Sequence, residues 1–233
     1  VSLRFAVDVG SYEEGDAERG WAHFIEHMAF RSTRSFPDGA IERVFAPAGV
    51  AFGRDQNALT TLFSTVYQVD LPKPDDSQLQ SAFSWLRDVA DGVVFTPDAV
   101  NHERGVVLSE MEARNSPMLM AQEAVGVFQA PGQRSTNRSP IGLRTTLNAA
   151  TPQGLERFYR AWYRPSHAVL TVVGDRPVEA LEASVKAAFS SWQASGPTRE
   201  RARVVQPAGE RPTDAFAVVG PALPTAVSAC RVS

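Results

Sequence analysis

Cysteine is almost missing from this chain of 233 residues: the single one is Cys230. One thiol cannot close an intramolecular disulfide framework or build a cysteine-rich zinc site. Lysine is scarce too. Lys73 and Lys186 are the only two, and the other 21 of the 23 basic residues are arginine, a bias of genome composition rather than of chemistry. Positive charge is not in excess, since 26 acidic residues outweigh the 23 basic ones for a net charge of −3. Proteins that bind nucleic acid by neutralising phosphates carry a basic excess, so no nucleic-acid partner is expected. No run of about 18 apolar residues occurs, so no membrane span is expected. Repeats and low-complexity tracts are absent from the sequence. No methionine precedes the opening run Val1 to Val9, so any signal peptide or leading strand is expected to lie outside the sequence.

What is present is an ordinary globular composition, 43% hydrophobic and 21% charged. It suffices for one large domain, or one and a fraction, with a well-buried core. Leu3 to Val9 alternates like a half-buried strand. Trp21, Phe24, Ile25 and Met28 recur at helical spacing and predict a helix over Trp21 to Phe30. Pro37-Asp38-Gly39 launches a short helix, about Ala40 to Ala46. Val50 to Asn57 and Leu62 to Leu71 predict an antiparallel strand pair. A helix follows over roughly Ser77 to Gly92. Thr96-Pro97 is a helix start, with threonine as cap and proline at the first helical position. It opens a helix to Arg114, continued from Met118 to Phe128. Ala130 to Arg144 predicts a surface loop, and Thr151-Pro152 opens a helix ending near Tyr163. The almost wholly apolar run Ala168 to Gly174 predicts a strand central in its sheet, and Val178 to Trp192 a helix. Gln193 to Arg211 reads as a solvated, arginine-rich linker with one edge strand. Ala215 to Val219 and Val227 to Val232 predict strands of something new. Strands in hairpin-like pairs with helices between them predict an α+β fold with a mainly antiparallel sheet.

The chemistry is concentrated in His23-Phe24-Ile25-Glu26-His27. Residues four apart share a helix face, so His23 and His27 can aim two imidazoles at one metal ion. Glu26 sits beside that face, placed to take a proton from an attacking water. This is the H-x-x-E-H order, the reverse of the commoner H-E-x-x-H. With no cysteine near, nitrogen and carboxylate donors point to zinc. A catalytic zinc site takes three protein ligands and leaves a position open. Glu103 and Glu110 lie seven apart and share a face of the later helix, whereas Glu112 points elsewhere. The competing account is a partly buried helix whose two histidines are satisfied by hydrogen bonds. His102 reads as an exposed helix histidine and His167 as structural. Trp21, Phe24 and Phe30 are expected to pack the metal helix onto the sheet, and Trp85, Trp162 and Trp192 to be core or interface residues rather than a sugar-binding platform. Cys230 has no histidine pattern around it that would make it a nucleophile.

Several segments together resemble the N-terminal catalytic domain of the pitrilysin/insulinase family of zinc metallopeptidases, the inverzincins, with its bacterial PqqL-type members nearest in pattern. Gly20 to Phe30 is similar to the family's metal helix. Phe52-Gly53-Arg54-Asp55-Gln56-Asn57-Ala58 with Thr60, then Thr65-Val66-Tyr67, is similar to its active-site strand pair. Glu103 to Met111 is similar to its third-ligand helix. Pro140-Ile141-Gly142, Phe158-Tyr159 with Trp162-Tyr163 and Pro165, and Val172 to Asp175 are further landmarks. The resemblance covers about residues 1 to 192.

The resemblance implies the antiparallel sheet and flanking helices of the LuxS and processing-peptidase fold. It implies Zn2+ held by His23, His27 and Glu110, with Glu26 as general base and Glu103 orienting a ligand or the water. Substrate would be a peptide or unfolded polypeptide bound in extended form along a sheet edge, Val50 to Asn57, with Phe52, Asn57 and Ala58 as contacts. Without the resemblance that segment reads as a plain structural strand. Residues 1–195 would be the catalytic domain, and 196–233 a linker with the first strands of a following domain. A second half-domain or partner subunit would supply further donors, so the chain alone is expected to bind zinc but cleave poorly. The alternatives are a non-catalytic subunit or scaffold, and a different metal-assisted amide hydrolysis. The expected compartment is the periplasm, with the cytoplasm as alternative.

Overall fold

The computed structural model describes residues 1–204, 214–218 and 227–231, the last two stretches as backbone. Strand β1, Ser2–Val7, alternates half-buried and buried positions, so that Leu3, Phe5 and Val7 face inward. β3, Thr65–Asp70, alternates in the same way and buries Thr65, Tyr67 and Val69. The two pair antiparallel with Phe5 opposite Tyr67. β2, Gln56–Thr60, joins the other side of β3, and β4, Ala168–Val173, joins the other side of β1. The order is β2-β3-β1-β4 with every neighbour antiparallel. The α+β reading therefore holds.

Helices cover the inward face. α1 is Trp21–Arg31, α2 Ala40–Phe45, α3 Asp76–Asp91 and α4 Pro97–Arg114. α5 is Pro117–Gln129, α6 Arg144–Ala149, α7 Pro152–Trp162 and α8 Val178–Phe189. Caps follow from local chemistry: Thr96 accepts from the Ala99 N–H, and Thr151 from that of Gly154. Trp85 of α3 meets the Tyr67 ring at 6.2 Å, and Phe189 at the end of α8 meets Phe5 at 5.9 Å. Of the two readings left for Trp85, Trp162 and Trp192, core and interface, the structure has all three buried in the core. α1 lies between the β2–β3 side of the sheet and the helices α4 and α7. β5, Asp214–Val218, and β6, Val227–Arg231, form a separate antiparallel pair.

Three expectations are corrected. β4 is an outer strand, not a central one: among the described residues it pairs only with β1, and Val169 and Val173 point outward. An apolar run does not require two covered faces. The strand expected over Val50 to Asn57 begins only at Gln56. Gly53 takes a left-handed conformation and the Asp55 carboxylate accepts from the Ala51 N–H, which makes residues 51–55 a turn. The rings of Trp21 and Phe24 also meet other helices. Trp21 stands edge-on to Phe158 of α7, Phe24 lies under Arg104 of α4, and only Phe30 reaches Tyr67. The arginines after residue 198 are not simply solvated. Arg199 pairs with both oxygens of Glu18, and Arg201 pairs with Asp8. The linker stretch 205–211 lies outside the described residues.

Candidate metal centre

α1 starts at Gly20 in a left-handed conformation, where no side chain on the helix supplies a cap. Glu14 takes that role from outside. Its two carboxylate oxygens accept from the Gly20 and Ala22 N–H groups, both at 2.8 Å. Burial pushes its carboxyl up to about 8, against the pull of those two bonds and of Arg138. Gly142 backs onto this turn so closely that a Cβ there would lie 2.4 Å from the Gly20 Cα. The metal helix is thus pinned at its first turn.

Packing of α4 across α1 brings the charged residues together. His23 Nε2 and His27 Nε2 face each other at 3.2 Å, and Glu110 Oε2 lies 3.1 Å from the second and 3.6 Å from the first. One ligand atom from each of the three lies within 4.8 Å of the others. His27 Nδ1 is 3.0 Å from Glu103 Oε1. With Nδ1 turned to Glu103, Nε2 is the ring nitrogen that faces the other two donors. Arg114, one turn beyond Glu110, holds the other oxygen of that carboxylate.

The charges behave like a site prepared for a cation. Burial and then the neighbouring His27 push His23 down to about 4, so its imidazole is neutral. Burial would lower His27 as well, but Glu103 and Glu110 outweigh it and raise the group to about 9. The hydrogen bond from His27 holds Glu110 down at about 2. In the metal-free chain a proton on His27 supplies the positive charge that the two carboxylates call for. Two imidazole nitrogens and one carboxylate oxygen suit zinc. The buried Nδ1 of His23 has no hydrogen-bond partner among the described residues. The orientation of that ring is then decided at its Nε2 end, where the other donors converge.

Glu26 is buried beside the group, and burial raises its carboxyl above the usual range. Thr60 Oγ1 donates to its Oε2 at 2.5 Å. A cavity of about 470 Å³ opens over Glu26 and the three donors. Phe52, Asn57 and Ala58 line it, so the site residues expected from sequence all meet here. Phe52 is 55% exposed and stands edge-on to Phe30 at 5.3 Å. The Asn57 amide is tied back to its own loop through the Gly53 carbonyl and the Ala58 N–H. Glu112 points away, as expected, and pairs with Arg144 at the surface. His102 is exposed at the cavity rim, 3.6 Å from Glu103. His167 is structural: its Nδ1 bonds the Trp162 carbonyl at 3.2 Å. Sequence reasoning missed Arg114, although its i+4 spacing from Glu110 was a usable signal. It also missed Glu14, whose contact with α1 leaves no periodic trace.

Comparison with known proteins agrees with this geometry. Residues 1–128 match the insulinase family, peptidase family M16, and residues 149–225 match the peptidase M16 inactive domain. The chain is 34% identical over 201 residues to the probable zinc protease PqqL of Escherichia coli, covering 86% of this chain and 22% of that protein. It is 30% identical over 177 residues to a PQQL-like zinc protease of Arabidopsis thaliana, covering 76% and 18%. The crystal structure of the periplasmic protease PqqL from Escherichia coli superposes with a TM-score of 0.81 over 86% of this chain and 22% of that one. A mutant of the ferredoxin protease FusC, solved in complex with Arabidopsis ferredoxin, gives 0.77 at 28% identity over 88% of this chain and 23% of that one. The chain therefore spans about a fifth of the length of these relatives.

Proposed function

The chain belongs to the insulinase family of peptidases, family M16, and from that premise we propose that it carries the zinc-dependent hydrolytic site of an endopeptidase acting on extended peptides. The observation that carries the reading is the convergence of His23, His27 and Glu110 beside Glu26, in a cavity bordered by the outer strand β2. His23, His27 and Glu110 would hold the zinc. Bound there, zinc would lower the pKa of a water and polarise the scissile carbonyl. Glu26 takes the proton of the attacking water and returns it to the leaving amine. Its raised pKa suits a group that must both accept and release a proton. Glu103 holds His27 in the tautomer that presents Nε2. Among the described residues β2 pairs with no strand but β3, and beyond the Phe52–Gln56 bridge a peptide can add to its other side through main-chain hydrogen bonds. Phe52 and Ala58 would meet its side chains.

Residues 1–195 are assigned to the catalytic domain, and 196–233 to a linker and the start of a following domain. Because the chain spans about a fifth of its relatives, full activity is assigned to an assembly with a second half-domain or partner subunit. The periplasm is the proposed compartment, from the likeness to the periplasmic Escherichia coli protease. Among the described residues no helix is long and apolar enough to cross a membrane.

Elemental analysis of the purified chain tests the site first. About one zinc per chain is expected. Glu26→Gln should keep that zinc while peptide turnover in the assembled enzyme falls by about a thousandfold or more. Unchanged turnover would remove Glu26 from the mechanism. No zinc after reconstitution would favour a non-catalytic subunit or scaffold.

A further inference from the structure

Thr60 ends β2 and lies directly across from Thr65, which opens β3. Both are buried. Their hydroxyl oxygens are 3.4 Å apart. Each hydroxyl has one proton to give. Thr65 gives its own to the Val9 carbonyl at 2.9 Å. It therefore has nothing left to donate to Thr60. The proton of Thr60 goes to the nearer and charged acceptor, Glu26 Oε2 at 2.5 Å. Among the described residues Thr60 is the one hydrogen-bond donor to Glu26.

We propose that Thr60 is a positioning residue for Glu26: its hydroxyl fixes Oε2 and leaves Oε1 as the oxygen that exchanges the proton over the cavity. The inference rests on the assignment of Glu26 as base. A glutamate side chain has several rotatable bonds, and an untethered carboxylate spends much of its time away from one productive geometry. Here the tether is short and comes from a strand end. The strand is fixed by its register with β3, and the threonine is buried in the cavity wall beside Glu26. Thr65 has a different part. It ties the hairpin to the loop after β1 through Val9, and among the described residues it makes no hydrogen bond to Glu26.

Three variants separate positioning from packing. Thr60→Val keeps the shape and removes the hydroxyl. It is expected to keep about one zinc per chain and a KM within about threefold, while kcat falls about 10- to 100-fold. Thr60→Ser restores the hydroxyl and should return kcat to within about threefold of the starting value. Thr65→Val loosens the hairpin and lowers thermal stability, yet should leave kcat within the same margin. The proposal falls if Thr60→Val retains its kcat, if Thr60→Ser is as slow as Thr60→Val, or if Thr65→Val is as slow as either. If the parent enzyme cleaves no peptide, the peptidase reading fails, and crystal structures of the parent and Thr60→Val then judge the tether. A Glu26 carboxylate displaced in Thr60→Val supports it, and one that stays in place overturns it.

Discussion

The sheet has two outer strands, and the molecule uses them differently. Beyond β2 lies the cavity that holds His23, His27, Glu26 and Glu110. β4 at the opposite edge shows Val169 and Val173, 65% and 63% exposed, outside the helix-covered face. Among the described residues neither strand has a second strand partner, and such an edge can take up an extended peptide. What separates them is the neighbour. α1 packs against β2 and carries two imidazoles and a carboxylate to that side, and α4 crosses α1 to add two more carboxylates. No comparable group of ligating side chains occurs elsewhere among the described residues. The strand supplies adhesion, and the helix pair makes one edge chemically distinct.

The sharpest way to break this contrast is to remove the ligand that α4 contributes. Glu110→Ala should lower zinc affinity by about a hundredfold or more, above the range for loss of an outer partner such as Glu103. Glu112→Ala is the control, since Glu112 sits two residues on, faces solvent and pairs with Arg144. Competition with a chromophoric chelator measures both. Equal affinities in the two variants would mean that the metal is held elsewhere, and the β2 edge would lose its distinction.

Proton competition gives a smaller effect with a definite sign. In the metal-free chain His27 is raised to about 9, His23 lowered to about 4 and Glu110 to about 2. Between pH 5 and 8 zinc must therefore displace one proton, from His27, so apparent affinity should rise about tenfold per pH unit. Histidines at their ordinary value would give a curve that flattens above pH 6.5. The same linkage acts on folding. A histidine raised in the folded state adds stability that is complete below its unfolded pKa near 6.5 and is lost as pH rises through about 9. Metal-free chain should thus lose thermal stability from pH 6.5 to 9, and zinc-loaded chain should lose less. Equal slopes for the two forms would sink the assignment of His27 as the proton carrier.

These tests draw on parts of the site that differ in how far they could be read in advance. The metal helix was legible because its two histidines are spaced by helix geometry alone. α4 was legible from Thr96-Pro97 at its start and from Glu103 and Glu110 two turns apart. Both are short-range signals. The tether from Thr60 was not, since it depends on which residue of α1 the hairpin end meets. Glu14 was hidden for the same reason: an acidic loop is normally solvated, and only the docking of α1 makes this carboxylate a buried cap. The edge position of β4 was misread because Ala168 to Val173 is apolar but for Thr171, and composition does not say which neighbour is missing. The clamp of Arg199 on Glu18 joins residues 181 apart and has no local signature.

The smallest expected effect compares the two edges directly. Phe52 stands edge-on to Phe30, is 55% exposed and lines the cavity. Truncation to alanine removes a surface for a peptide side chain and disturbs little of the core. Phe52→Ala should raise KM about three- to tenfold with kcat nearly unchanged, the pattern for contacts made equally in the ground and transition states. On β4, Val169→Thr keeps a branched side chain on an exposed strand position. It should leave KM as it was and change stability by no more than about 0.5 kcal/mol. Steady-state kinetics with one peptide substrate measures both variants. If Val169→Thr raised KM and Phe52→Ala did not, the peptide would be lying along β4. The cavity beside β2 would then hold the scissile bond of a chain anchored at the other edge. A sheet four strands wide, at roughly 4.8 Å per step, makes the two arrangements distinguishable by substrate length. A peptide anchored at β4 would need several residues more to reach Glu26, so short substrates would be cleaved only in the β2 arrangement.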